Sequence, residues 1–248
     1  LADTLEILAI EGDRLFYEGE IAKTLVELNR LDGGHLTEKD MHGFRTEVRQ
    51  PLLHTYRGTQ IFSNPPPSSG GMLIRFAQQL LATLGTVEPV FGSKDHLLAL
   101  ALVMEQTNLA RRRHRVHEKA WDERLLQQYL AVIRDHPVTA RGTTHISVID
   151  GESNAASLTL SNGEGCGHLL PGTGIMLNNM LGEEDLNPDG FNRWPANVRV
   201  GSMMAPTLAE DRRHLIAIGS GGSNRLRTAI LQTLSNLIDF GMSPTQAV

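Results

Sequence analysis

Residues 140–150 read ARGTTHISVID, and the pattern of the chain changes within this stretch. From Thr143 onward apolar and polar residues alternate, which is the period of a half-buried strand. The same alternation returns in NAASLTLS, RVGSMMAPTLA and HLIAIGS, which are separated by Gly, Asn and Pro turns. The stretch NRLRTAILQTLSNLIDFG then has helical spacing. The part of the chain after Thr143 therefore predicts mainly antiparallel strands followed by a helix.

The part before Thr143 predicts helices interrupted by one pair of strands. LADTLEILAIEG and GEIAKTLVELNRLDGG are each typical of a short amphipathic helix closed by glycine. LLHTYRGTQIFSN predicts two strands around a turn, and PPPSSGG (65–71) predicts a rigid loop before a helix in MLIRFAQQLLATLG. Two more helices are predicted in SKDHLLALALVMEQTNLARRRHRV and WDERLLQQYLAVIRDH. This order favours a layered α+β fold over a regular βαβ winding.

Composition narrows the classes of partner. The 248 residues are 40% apolar and 21% charged, which suits one large globular domain or two closely packed halves. A net charge of −5 gives no overall field that would hold nucleic acid or an acidic membrane. The basic run Arg111–His117 has acidic neighbours and no interleaved aromatic residues, so it indicates a solvated helix face. The acidic start and the short apolar runs predict a mature or truncated soluble chain with a small-molecule or peptide partner.

Thr143 is a candidate nucleophile. A threonine before a strand is by itself ordinary β-propensity. Its hydroxyl needs a base, and the most economical base is its own α-amino group, which becomes available only if the chain is cut before Thr143. Gly142 would offer little steric resistance to the strained backbone that an attack on its carbonyl requires. The hypothesis therefore links self-cleavage and catalysis in one residue.

The glycine-rich stretch GSGGSN (219–224) lies between an apolar strand and a helix. Backbone N–H groups at such a place can point at an anion, helped by the positive end of the helix dipole. The stretch therefore predicts an oxyanion hole, with a plain strand-to-helix turn as the alternative. It lacks the residues of a Walker loop and the third glycine of a dinucleotide fingerprint.

Other reactive residues give weaker hypotheses. Cys166 is the single cysteine, so neither an intrachain disulfide nor a thiolate metal cluster is predicted. Its neighbour His168 is close in sequence, whereas the histidine of a cysteine enzyme is brought close by the fold. His114 and His117 are one helical turn apart, but no set of carboxylates at ligand spacing accompanies them, so we predict no metal and no cofactor. His145, in a strand, is typical of a packed or hydrogen-bonded histidine.

Several stretches together resemble the gamma-glutamyltransferases and the related cephalosporin acylases, which are N-terminal-nucleophile hydrolases. They cover most of the chain, and the match is poorest over about residues 85–140. They are TTHISVID (143–150), PGTGIMLNN (171–179), SMMAPT (202–207), the GGS turn (221–223), LADTLEILAIEGDRLFYEG and YRGTQIFSNPPPSSGG. The resemblance implies a precursor that cuts itself before the first threonine of TTH and a four-layer αββα sandwich.

The resemblance also implies a subunit division. Residues 1–142 would be the C-terminal part of a large subunit, and residues 143–248 the N-terminal part of a small subunit, together one αββα domain. The two subunits would stay associated after cleavage. The chain would thus begin inside the large subunit and stop inside the small one, and it would lack the region that supplies a carboxylate-binding arginine.

The family's site residues can be carried over where the motifs match. Thr143 matches the nucleophile, and the backbone of Gly221 and Gly222 would form the oxyanion hole. Ser161 would stand where a threonine contacts the nucleophile. Ser202 would bind the α-carboxylate of a glutamyl group.

Five positions near the expected substrate pocket depart from the family's pattern. Asn162 directly follows Ser161, and Gly163 stands where an asparagine is usual. Met180 replaces an acidic or amide residue, and Glu183 matches the aspartate that grips the substrate amino group. Met203 replaces the second serine of the usual SSM, so one carboxylate donor is missing. The short interval between Glu183 and Ser202 predicts a site without a lid.

The resemblance implies a self-processing gamma-glutamyl transferase or hydrolase. It would act on glutathione-like or other gamma-glutamyl amides through a threonine acyl-enzyme, with water or an amine as acceptor. Relatives of this kind are commonly exported, so a periplasmic or extracellular location is expected. Two alternatives stay open: a related acylase for non-glutamyl side chains, and an inactive homologue with a binding role.

Overall fold

The computed structural model describes residues 1–84, 90–114, 143–163, 165–187, 189–222 and 225–248. The helices are α1 (Ala2–Glu11), α2 (Arg14–Tyr17), α3 (Glu20–Leu31), α4 (Glu38–Gly43), α5 (Gly70–Thr83), α6 (Lys94–His114), α7 (Leu226–Asp239) and α8 (Pro244–Ala247). The strands are β1 (Leu52–Tyr56), β2 (Thr59–Ser63), β3 (Thr144–Ile149), β4 (Ala155–Leu160), β5 (Leu169–Leu170), β6 (Ile175–Met176), β7 (Thr207–Glu210) and β8 (Leu215–Ile218). The predicted α+β class is confirmed.

The chain forms two compact units. Unit 1 contains residues 1–49 and 164–179, and unit 2 contains residues 50–163 and 180–248. Each unit therefore draws residues from both sides of Thr143. This division into compact units does not coincide with the predicted subunit boundary between residues 142 and 143, which stays a prediction.

Unit 1 is built around α3. Its buried face carries Ile21, Ala22 and Leu25, which pack with Met41 of α4 and Leu170 of β5. This helix has the apolar stripe that its sequence predicts. Together with α2, α4 and the short β5–β6 pair, it encloses a small separate core.

The first helix differs from its prediction as an amphipathic helix. The buried residue of α1 is Thr4, whose hydroxyl donates to the Thr173 carbonyl at 2.9 Å, while Leu5 and Ile10 are exposed. A hydrogen bond therefore ties α1 to the rest of unit 1, since the apolar residues of α1 are spread around the helix instead of forming one stripe.

Unit 2 contains a four-stranded antiparallel sheet in the order β1-β2-β7-β8. β1 and β2 are joined through Arg57 and Gly58, whose φ angles of 46° and 84° suit a two-residue hairpin turn. β1 and β2 come from before Thr143, and β7 and β8 come from after it. Both sides of Thr143 therefore contribute strands to one sheet.

Helices α5, α6 and α7 supply the core of unit 2. Ile74 of α5 packs with Ile61 of β2 and with Ile230 and Leu234 of α7. The opposite side of α5 presents Phe76 and other apolar residues to α6 and α7. Full burial of one such side chain stabilises the fold by about 1.5–3 kcal/mol, so this helix anchors the unit.

The hairpin formed by β3 and β4 packs on β7 and β8 with a polar face. Ser157 joins the two sheets directly: its hydroxyl donates to the Ile218 carbonyl at 3.0 Å and accepts from the Thr207 N–H at 3.1 Å. The opposite face of the hairpin is apolar and about half exposed, and it carries Ile146, Val148, Leu158 and Leu160.

Two sequence predictions need comment. The strand predicted in RVGSMMAPTLA begins only at Thr207, because residues 201–205 are held against the PPPSSGG loop: Ser69 N–H donates to the Ser202 carbonyl at 2.9 Å. The helix predicted in WDERLLQQYLAVIRDH and the end of the basic run lie outside the described residues.

Over the part of the chain that is described, no helix is both long and apolar enough to cross a membrane.

Candidate active site

The open end of the β3–β4 hairpin brings Thr143 and Ser161 together. Because Thr144 pairs with Leu160, the residues that flank this pair become neighbours. The Thr143 hydroxyl lies 3.4 Å from the Ser161 hydroxyl and donates to it. Ser161 also accepts from the Gly163 N–H at 3.1 Å. The two residues predicted to meet are therefore within hydrogen-bond distance.

The residues after Ser161 form a tight turn. Gly163 is buried and has a φ of 66°, a backbone conformation that glycine adopts at no steric cost. Asparagine is among the few other residues that adopt this conformation readily. The backbone at Gly163 therefore does not by itself explain the departure from the family pattern. Asn162 is exposed.

The glycine-rich loop after β8 lies against Thr143. A Cβ atom on Gly221 would overlap the Thr143 carbonyl oxygen, so only glycine fits at this contact. Gly222 is buried with a φ of 106°, and its carbonyl accepts from Arg225 N–H at 3.1 Å just before α7 begins. The loop predicted as an oxyanion hole is therefore next to the predicted nucleophile and at the N-terminal end of a helix.

His145 lies between the hairpin and this loop. One ring nitrogen, Nδ1, is 2.9 Å from the Thr159 hydroxyl, and the other, Nε2, is 2.8 Å from the Ser147 hydroxyl. The ring packs so closely on Gly219 that a Cβ there would overlap it. Burial lowers the pKa of His145, so the ring is neutral at pH 7. The predicted hydrogen-bonded histidine is confirmed, and it supports the loop that carries Gly221.

Ser202 belongs to a second group of hydroxyls. Its carbonyl accepts from the Ser69 N–H and, at 3.1 Å, from the Ser69 hydroxyl. Its own hydroxyl donates to the Ser68 hydroxyl at 3.3 Å. Ser202 is half-buried, whereas Ser68 and Ser69 are buried. The sequence predicted a rigid loop at Ser68 and Ser69 but not their contact with Ser202.

Met203 and Met180 are both in contact with the core of unit 2. Met203 is buried, and its sulfur accepts from the Ser69 hydroxyl at 2.9 Å. Met180 is half-buried and packs against the same apolar cluster. A substrate contact for either residue stays a prediction.

Glu183 lies in a turn held by a residue that the sequence analysis missed. Asn187 is buried, and its side-chain amide donates to the carbonyls of Leu181 at 2.9 Å and Glu183 at 2.6 Å. The Asn187 side-chain oxygen accepts from the Trp194 ring N–H at 3.1 Å. The only available signal was a single asparagine in a loop, which many structures place at the surface.

Cys166 belongs to unit 1, whereas the groups described above belong to unit 2. Its sulfur accepts from the main-chain N–H of His168 at 3.4 Å, so the contact between the two residues does not involve the imidazole. Within the described ranges, no group of three His, Cys, Asp or Glu side chains is arranged to hold a metal ion. The chemistry gathered in unit 2 is that of hydroxyl groups and backbone amides.

The chain resembles known proteins along its whole length. The family model for gamma-glutamyltranspeptidase matches residues 1–248. The glutathione hydrolase proenzyme of Escherichia coli (strain K12) is 29% identical over 283 residues, covering 100% of this chain and 49% of that protein. The Acylase ACY 1 proenzyme of Pseudomonas sp. (strain SE83) is 32% identical over 268 residues, covering 100% of this chain and 48% of that protein.

A solved structure shows the same fold. The cephalosporin acylase from Bacillus halodurans superposes with a TM-score of 0.81 at 21% identity, covering 99% of this chain and 48% of that one. At that identity the likeness concerns the fold alone. The chain spans about half the length of the curated relatives it matches.

Proposed function

Since the chain belongs to the gamma-glutamyltranspeptidase family, we propose that the full-length protein is a self-processing amidohydrolase with Thr143 as its nucleophile. Its substrates would be gamma-glutamyl amides such as glutathione-like compounds, with water or an amine as acceptor. The completed protein would have the four-layer αββα arrangement of an N-terminal-nucleophile hydrolase.

Self-processing would come first. The Thr143 hydroxyl attacks the Gly142 carbonyl, the peptide C–N bond breaks, and the acyl group moves to the oxygen as an ester. Water then hydrolyses the ester, which leaves a carboxylate on Gly142 and a free α-amine on Thr143. The product is a pair of associated subunits, and the amine is the base that the second reaction needs.

Acyl transfer would follow on the same hydroxyl. The Thr143 amine takes the hydroxyl proton while the oxygen attacks the substrate amide, and backbone N–H groups of Gly221 and Gly222 stabilise the oxyanion. The amide C–N bond then breaks, and the leaving amine takes the proton from the ammonium. Water or an amine acceptor finally releases the acyl group from the ester.

One observation carries the proposal: Thr143 has Ser161 at 3.4 Å on one side and the Gly221 backbone packed against its carbonyl on the other. A nucleophile needs a partner that orients its hydroxyl and backbone donors near the reacting carbon. The contacts of Thr143 with Ser161 and with the Gly221 segment support such an arrangement, which would draw on three separate segments of the chain. Ser161 would orient the hydroxyl, because its own oxygen is fixed by the Gly163 N–H.

The test compares the full-length parent with full-length Thr143→Ala. The parent should cut itself without protease, and the shorter piece should begin Thr-Thr-His-Ile-Ser. Thr143→Ala should stay one chain and lose activity, whereas Ser161→Ala should lower the rate by a smaller factor. Thr144→Ala is the matched control, because this exposed neighbour should leave cleavage intact. A folded parent that persists as one chain would favour the inactive homologue.

A second candidate function is an acylase for donors other than glutamyl groups. Its support is the half-buried Met180, which packs on apolar residues where the family has an acidic or amide residue. Loss of one polar partner for a substrate amino group would weaken glutamyl binding by about 0.5–1.5 kcal/mol. If the full-length protein binds glutathione as tightly as relatives with polar residues at these positions, then Met180 and Met203 do not weaken glutamyl binding and this support for the acylase is lost.

Two chromogenic donors separate these functions. A γ-glutamyl anilide and a glutaryl anilide differ only in the α-amino group. Preference for the γ-glutamyl donor supports the gamma-glutamyl function, and preference for the glutaryl donor supports the acylase.

A further inference from the structure

The serines before α5 direct their hydroxyls away from their own helix. Ser69 occupies the N-cap position of α5, but its side chain makes no capping hydrogen bond. Its hydroxyl donates instead to the Ser202 carbonyl at 3.1 Å, and the Ser68 hydroxyl donates to the Met204 carbonyl at 2.7 Å. A serine at an N-cap usually satisfies the first turn of its helix, so this arrangement serves the distant segment instead.

The two segments are packed too tightly to shift independently. Ser68 and Ser202 form a parallel β-bridge, and a Cβ atom on Gly70 would lie 2.9 Å from the Ala205 Cβ. A Cβ atom on Gly201 would lie 3.0 Å from the Pro67 carbonyl oxygen. The main chain around Ser202 is therefore fixed by the loop, and the remaining freedom lies in the Ser202 hydroxyl.

The hydrogen-bond directions at Ser68 define that freedom. The Ser68 hydroxyl has two carbonyl acceptors, Met204 at 2.7 Å and Ser202 at 3.4 Å, and both would use its single proton. Toward the Ser202 hydroxyl, the Ser68 oxygen therefore acts as an acceptor. At 3.3 Å this acceptance is longer than the usual 2.7–2.8 Å of an O–H···O bond. A carboxylate is a stronger hydrogen-bond acceptor than a hydroxyl. The Ser202 hydroxyl would therefore donate to a bound carboxylate in place of Ser68 at little cost.

We infer that Ser68 is a positioning residue that holds the Ser202 hydroxyl ready for the carboxylate of a donor substrate. The inference rests on the proposed gamma-glutamyl function and on the carboxylate-binding role that the resemblance implies for Ser202. Ser68 does not touch the substrate. It acts by restricting the rotation of the Ser202 hydroxyl, which then donates its hydrogen bond to the charged ligand in place of Ser68.

The experiment uses the processed full-length enzyme and two donors that differ only in the α-carboxylate, γ-glutamyl anilide and 4-aminobutyryl anilide. The measured quantity is the ratio of their kcat/KM values. Ser68→Ala should lower this ratio about threefold to tenfold through KM for the γ-glutamyl donor, with the 4-aminobutyryl rate unchanged. Adding Ser68→Ala to Ser202→Ala should lower the ratio no further than Ser202→Ala alone.

Ser63→Ala is the matched control. Ser63 is a buried serine that also has two hydrogen-bond partners, Pro206 and Thr207, and its replacement should leave the ratio unchanged. If Ser68→Ala does not fold, Ser68→Cys keeps the shape with a poorer acceptor and should lower the ratio similarly. If the Ser68 variants keep the parental kcat/KM ratio while Ser202→Ala lowers it, the inference about Ser68 is overturned and the proposed function stands. A parent whose ratio is unaffected by Ser202→Ala overturns the assigned role of Ser202 and the inference with it.

Discussion

The two hairpins of unit 2 turn opposite kinds of face toward the interior. β1 and β2 bury Tyr56 and Ile61 in the apolar core shared with α5 and α7. β3 and β4 turn His145 and Ser157 inward and leave their apolar residues half exposed. Apolar burial stabilises a fold without directional demands, whereas an inward polar face needs a partner for each group. One hairpin therefore stabilises the unit, and the other orders the hydroxyls at the candidate site.

The largest effect should come from Gly221→Ala, at the point where the polar hairpin meets the glycine-rich loop. The added Cβ would overlap the Thr143 carbonyl oxygen, so either the loop or Thr143 must move. Gly221 is the proposed oxyanion donor, and its displacement should lower kcat by about 100-fold or more. Steady-state kinetics of the full-length enzyme measure this change. Gly151→Ala in the β3–β4 turn, where a Cβ has open space, should keep near-parental activity.

The apolar hairpin should show its role in stability. Ile61→Ala removes a fully buried side chain from the core, which should lower the free energy of unfolding by about 2–5 kcal/mol. Gln60→Ala, on the exposed face of the same strand, should change it by less than about 0.5 kcal/mol. Denaturant midpoints of the two variants test the contrast. Equal midpoints would mean that β2 does not anchor unit 2.

A histidine in the stabilising hairpin should make stability depend on pH. Burial lowers the pKa of His54, and the charge of Arg75 acts in the same direction, while the hydrogen bond to Gln78 opposes them. The unfolded chain then binds a proton more readily than the folded one. Stability should be full above about pH 6.5 and should fall as the pH drops below that value. His54→Gln should flatten this fall between pH 7.5 and 5.5 in thermal melts, and an unchanged slope would contradict it.

The smallest effect should come from Ser147→Ala in the polar hairpin. His145 loses the partner of its Nε2 atom but keeps Thr159 and its packing on Gly219. We expect kcat to fall by about twofold to tenfold, as for the loss of one hydrogen bond. Measuring kcat for Ser147→Ala and for the parent under the same conditions tests this expected fall. A loss as large as that of Gly221→Ala would show that the histidine does more than support the loop.

Local pattern was enough to predict the polar hairpin but not what it meets. The period of two gave β3 and β4, and the motif resemblance gave Thr143 and Ser161 as neighbours. The resemblance also predicted Gly221 near Thr143. That no side chain fits at Gly221 depends on the position of the Thr143 carbonyl oxygen, which local pattern does not reveal. The contact of Ser68 with Ser202 joins positions 134 residues apart. The strand predicted in RVGSMMAPTLA starts late for the same reason, since a tertiary contact outweighs local propensity there.

Both compact units recruit segments from before and after Thr143, and this has a consequence for biosynthesis. If the two sides of the predicted cut were made from separate genes, one product would have β1 and β2 without β7 and β8, and the other the reverse. Neither product would hold a complete core, as in subunits that have no stable folded monomer. Fragment complementation would therefore require the two pieces to fold in each other's presence, and mixing them after separate refolding should fail.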